Sequence, residues 1–300
     1  MATLGTTNTY CDASTLANFN AWAYWMYQQF LAFGWTQTAD TGQGAFPAVS
    51  SAPSAAGYYA IFQAADALSS AYPITVKIEF WESSNIPYFG LTVGTNGTDG
   101  AGNLLTPFST RLYGGSGDNR SLQGQSASTT NLLPCFASGD AGNMRFGMWY
   151  NNNNVGPDYY QGVGIIIARA RDSNGNQCGN YVQVWGFCYS HGAFQTVFAY
   201  GLGTTNNLDL TGTVIAAAPN LGDTSWTNSG AIMVSPVMQN IGGLSNPTPD
   251  LLVGSRKDFP PTASAVITVY GIAHTYVALS STNLYGFVQS QNTSLLMRYE

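Results

Sequence analysis

The chain of 300 residues is 45% hydrophobic but only 8% charged, against about 25% charged residues in ordinary soluble proteins. Its net charge of −6 and pI near 4.7 exclude a nucleic-acid groove, which needs clustered Lys and Arg; the close basic groupings are Arg169 with Arg171 and Arg256 with Lys257. No run approaches the ~20 apolar residues of a membrane helix, and the start MATLGTTNT lacks the basic and apolar regions of an export signal, so we expect cytosolic synthesis and no membrane partner.

In chain order, residues 19–35 (FNAWAYWMYQQFLAFGW) come first, with Phe19, Trp22, Trp25, Met26 and Phe33 at spacings of three, four and seven. The segment predicts a helix or a packed aromatic arm, a core or subunit-contact element. We take Phe19, Trp22, Trp25, Met26, Phe33 and Trp35 as subunit-contact candidates. The small, Pro- and Gly-bearing stretch 38–57 then reads as a connector.

From Tyr58 the pattern is β. Ile74, Val76, Ile78 and Phe80 alternate onto one face. Further strands are expected at 144–151, 163–172, 180–190, 193–201, 212–219, 230–238, 264–280 and 294–300, each bounded by Pro, Gly or Asn. Short strands at turn-bounded spacing predict an all-β fold, a sandwich or barrel. The four cysteines, Cys11, Cys135, Cys178 and Cys188, match no C-x-x-C pattern. We read them as reduced, buried thiols, with Cys178 and Cys188 placed on either side of one hairpin and able to face each other.

The glycine-rich stretch Leu91–Leu104 (LTVGTNGTDGAGNL) has no lysine for a P-loop, and its glycines come in the wrong order for a dinucleotide fingerprint. Calcium through Asn96, Asp99 and Asn103 would rest on one carboxylate, thin charge for such a site. The better reading is a cap between two strands, with glycines at positive φ and Asp99 bonding local backbone. RDSNGNQCG (171–179) begins like a calcium loop at Asp172, but Gln177 replaces the required glycine, so Asn174-Gly175 marks a hairpin turn.

His191 and His274 lie in strand-like contexts and read as structural. Glu79 and Glu82, three apart on a strand, point to opposite faces and form no glycosidase pair. Asp118, Asp140, Asp158, Asp172 and Asp223 read as turn residues. We therefore assign no catalytic residue, no cofactor and no metal.

Several phrases together resemble virion structural proteins of tailed bacteriophages, of the kind found among tail, baseplate and fibre-attachment components. They are YYAIFQAADALSSAYPITVKIEFWE with LTVGTNGTDGAGNL, IIIARARDSNGNQCGNYVQVWG, IMVSPVMQNIGGLSNPTPDLLVG, and VYGIAHTYVALS with SLLMRYE. The resemblance implies a non-enzymatic β-rich component, assembled in the host cytoplasm in several copies, with other virion proteins and copies of itself as partners. It leaves residues 1–57 as this chain's own arm and connector, with 58–300 as a β-sandwich or jelly-roll-like body, in one piece or two packed sub-domains. Removing residues 1–50 is then expected to leave a folded but assembly-defective protein. The alternative is a carbohydrate- or host-receptor-binding module whose loop Asn151–Tyr160 stacks on a host surface glycan; a depolymerase comes third.

Overall fold

A computed structural model of the chain describes residues 5–11, 15–44, 46–51, 55–83, 86–107, 133–151, 160–171, 176–190, 193–194, 197–201, 234–241, 244–255, 259, 263–269, 271–280 and 293–300. The fold is all-β, as its alternating patterns predict: antiparallel strands dominate, with a single helix among the described residues. The chain divides into two compact units, Met1–Met144 with Gly201–Asn207, and Arg145–Tyr200 with Leu208–Glu300. This division differs from an arm over 1–57 and a body over 58–300.

The first unit begins with β1 (Gly5–Cys11) and helix α1 (Leu16–Ala32). Thr15 caps the helix start, its side chain accepting from the Asn18 N–H at 3.1 Å. The helix stops where Gly34 takes φ +91°. There Gly34 N–H donates to Leu31 O and Trp35 N–H to Phe30 O, at 3.0 and 2.9 Å. The Trp35 ring closes this Schellman turn against Phe30, edge to face at 5.4 Å.

Then follow β2 (Thr36–Gln37), β3 (Tyr59–Gln63), β4 (Ile74–Ser83), β5 (Ile86–Thr98) and β6 (Leu104–Pro107), an antiparallel sheet in sequence order. Register aligns Ala60 with Ile78 and Phe62 with Val76, and Val76 with Val93, Ile78 with Leu91 and Phe80 with Phe89. These cross-strand pairs build one apolar face. All of them are buried. Helix α1 covers the same face: Trp22 meets Phe80 and Phe89 edge-on at 5.6 and 5.7 Å, and Phe30 stacks on Phe62 at 4.7 Å. Strand β7 (Leu133–Asp140) pairs with β1 from Gly5–Gly139 to Cys11–Leu133. The division between the units falls within β8 (Asn143–Asn151).

In the second unit the remainder of β8 is followed by β9 (Tyr160–Arg171), β10 (Gln177–Ser190), β11 (Ala193–Phe194) and, as far as Tyr200, β12 (Val197–Gly201), with β11 and β12 both paired to β10. A second sheet comprises β13 (Val234–Ile241), β14 (Leu244–Ser255), β15 (Ser264–Val269), β16 (Ile272–Ser280) and β17 (Thr293–Arg298), in the order β13-β14-β17-β16-β15. Strand β9 lies against β14 and β16, so this unit is sandwich-like. Ile165–Arg169 are buried throughout, as expected of a strand covered on both faces. Leu252, Phe259, Tyr276, Ala278 and Leu296 form the core of the second sheet.

Two expectations change. Residues 264–280 are not one strand but the β15–β16 hairpin, closed by the Val269–Ile272 pair. Cys178 and Cys188 lie on the same strand, β10, and ten residues of extended chain span about 33 Å, far beyond disulfide reach. The strand expected at 212–219 lies outside the described residues.

Candidate functional site

Helix α1 carries most of the residues singled out for subunit contact, and it turns most of them inward. Phe19, Trp22, Met26, Phe33 and Trp35 are buried by their own unit, and Trp25 is half-buried. Their covering is specific: the Trp35 indole N–H donates to Asp140 O at 2.9 Å, and Phe19 meets Phe80 edge-on. These side chains therefore form the lid of a core and offer little surface to a neighbour. The physical reason is simple: the apolar face of β3–β5 needs a cover, and an aromatic helix beside it in sequence supplies one.

The outward stripe of α1 is Ala17, Ala21, Tyr24, Gln28 and Leu31, all exposed and spaced four, three, four and three. Tyr24 and Leu31 stay 41% and 42% exposed, and beside them Phe46 is 40% exposed with its ring 4.7 Å from that of Tyr24. No residue of Leu16–Ala32 carries a charge. Surface helices normally place charged residues opposite their buried stripe, so this outer face is unusual for a solvated one. Reading by aromatic density alone passes over it; the helical spacing of the weaker apolar residues is the signal that finds it.

The glycine-rich stretch resolves into strand and turn. Leu91–Thr98 continues β5, and only Asp99–Asn103 turns, before β6 begins at Leu104. Asp99 Oδ1 accepts from the N–H groups of Ala101 and Asn103 at 2.8 and 3.0 Å, and Oδ2 from Asn103 Nδ2 at 2.7 Å. The side-chain and backbone bonds from Asn103, then that from Ala101, hold its pKa below the usual carboxylate range. Asn96, Gly97, Gly100 and Gly102 all have positive φ. The local-backbone role expected of Asp99 is what the geometry displays.

A second carboxylate, which sequence reading passed over, locks this turn to the connector. Asp40 is buried and accepts from Thr98 Oγ1 at 2.8 Å and Gly102 N–H at 3.1 Å. Burial pushes its pKa up, but the bonds from Thr38, Thr98 and Gly102 together outweigh burial and hold it below the ordinary value. Lys77 donates to Gly102 O at 2.9 Å and sits 3.9 Å over the Tyr59 ring. The Tyr59 hydroxyl donates to Thr41 O at 3.0 Å. Every polar group named here is directed at another part of the clasp, an arrangement that fixes loops.

The second unit buries an ion pair. Arg145 donates through Nε to Asp250 Oδ1 at 2.7 Å, its Nη2 lies 2.6 Å from the same oxygen, and Arg298 Nη1 is 3.9 Å from it. Burial first, then the Asp250 carboxylate, push the Tyr276 hydroxyl well above the usual phenol range, with Arg298 and Arg145 acting against them. Such a pair ties β8 to β14, and losing one partner would strand the other charge at a cost of about 3–5 kcal/mol.

Among the described residues no group of three or more His, Cys, Asp or Glu is placed to hold a metal ion, and no helix is long and apolar enough to cross a membrane. His274 lies on β16 and Asp140 ends β7, where it accepts from Gly142 N–H and Asn143 Nδ2 of the turn into β8. His191, Asp118, Asp158, Asp172, Asp223 and residues 152–159 of the expected glycan loop lie outside the described residues. Comparison with protein-family models, with curated proteins and with solved structures finds no match for this chain.

Proposed function

We propose that this chain is a non-enzymatic structural component of a tailed-phage particle, in the tail or baseplate, working as a multimer with copies of itself and other virion proteins. The resemblance of its sequence phrases supplies the setting. The observation that carries the assembly role is the uncharged outer face of α1, where Tyr24, Leu31 and Phe46 remain exposed on a helix without one Lys, Arg, Asp or Glu. Burial of the parts of Tyr24 and Leu31 still exposed would contribute about 1 kcal/mol each, and no buried charge would oppose it. The strand edges, poor in the charges that monomeric β proteins use to block pairing, offer further contacts.

The test is the double substitution Tyr24→Glu with Leu31→Glu in the full chain. It places two charges on the outer face and leaves the buried stripe untouched. On a sizing column the wild type is expected as a multimer and the variant as a smaller species that keeps the far-ultraviolet dichroism of the wild type, its melting temperature lower only by what assembly contributed. Equal masses for the two would overturn the assignment of this face.

A further inference from the structure

Strand β15 ends its sheet: among the described residues β16 pairs with it on one side and no strand on the other. Its side chains alternate, with Ala265, Ile267 and Val269 packed on the core and Ser264, Val266 and Thr268 exposed. Val266 is 71% exposed. The backbone alternates in step. Ala278 N–H donates to Ala263 O at 2.8 Å, and the register runs on from there through Ser264–Val277 to Val269–Ile272. In an antiparallel ladder every second residue bonds the partner strand, so Ala265, Ile267 and Val269 direct their amides to β16. Ser264, Val266 and Thr268 direct theirs outward. The opposite edge of the sheet, β13, is interrupted by Pro236, whereas SAVITV has no proline and no charge.

We infer that β15 pairs antiparallel with β15 of a second copy, about a two-fold axis at Val266. That axis sets Val266 opposite its own copy and Ser264 opposite Thr268, so each outward N–H and C=O meets its complement. An apolar pair and two small hydroxyl pairs face each other, and no charge opposes its like. A strand of this length spans about 20 Å, which alone buries less than a stable interface needs. The pairing is therefore weak and concentration-dependent. The inference rests on the multimer reading above and names one edge through which copies meet.

Sedimentation equilibrium of the full chain over a wide concentration range, with Val266→Pro and Thr268→Pro beside the wild type, tests it. Each proline removes an outward amide that carries no ladder bond and is tolerated on an edge strand. The expected result is a dimer step weakened about tenfold or more by either proline, with Val266→Thr close to wild type. Should a proline lower the melting temperature, hydrogen exchange in the wild type decides: the amides of Ser264, Val266 and Thr268 must slow as concentration rises. Exchange that ignores concentration, or a multimer that neither proline weakens, overturns the edge pairing and leaves assembly through α1 standing. A single-chain mass at every concentration overturns both.

Discussion

Gly102 concentrates the chemistry of the connector clasp in one residue. Its φ is +92°, and a Cβ there would run into the Tyr59 hydroxyl. Gly97 has a similar φ of +79° with nothing within 4 Å. Both substitutions to alanine pay the left-handed backbone cost of about 1–2 kcal/mol, but only Gly102→Ala must also displace Tyr59 and the Lys77 above it. Urea unfolding is expected to rank Gly102→Ala as clearly more destabilising than Gly97→Ala; equal costs would show that the clasp yields freely. Asp40 adds a dependence on pH. Its folded pKa lies below the ordinary one, so its stabilisation is complete above the ordinary carboxylate range and is lost as pH falls through the depressed value. Asp40→Asn is expected to cost about 1–2 kcal/mol near neutrality. The gap to wild type should begin to close as pH falls through about 4, the ordinary carboxylate value, and go on closing through the depressed one, and a gap that is independent of pH would contradict the assignment. Asp99 was legible from sequence as a turn residue because its partners lie within four positions. Asp40 was not, because Thr98 and Gly102 are distant in sequence and only the fold brings them together.

At the scale of elements, alternation was the readable signal and three-dimensional cover was not. Ile74, Val76, Ile78 and Phe80 announce a strand face by period alone, and the structure buries all four. The aromatic segment announces a helix or arm, yet its spacing does not reveal whether its large residues face a neighbour or the chain's own sheet. The β15–β16 hairpin was hidden for a different reason: only two positions separate Val269 from Ile272 in a long apolar run, and a break that short hardly interrupts the pattern. With α1 as the cover of β3–β5, deletion of residues 1–50 takes on a new expected outcome. It strips β1, α1, β2 and Asp40 from the first unit and exposes Phe62, Phe80 and Phe89 to water. The truncated chain should lose near-ultraviolet dichroism and become protease-sensitive in this unit. A folded, assembly-defective product, as expected of a free arm, would contradict the packing described here.

At the scale of the whole molecule, the scarcity of charge is the feature that composition revealed at once and that individual residues then explain. An uncharged helix face in one unit and, among the described residues, an uncharged unpaired edge in the other are liabilities for a protein that stays alone. They become contacts for one that does not. The all-β class was legible because turn-bounded alternation recurs along the chain; the two-unit division was not, because it falls within β8, where no linker or change in composition marks it. The measurement that bears most directly on the assembly account is the mass of the purified full-length chain by light scattering behind a sizing column, at two concentrations. A chain that assembles gives a mass well above the 31.9 kDa of one chain at both, with the larger species favoured at the higher concentration. A mass of one chain at both would contradict it.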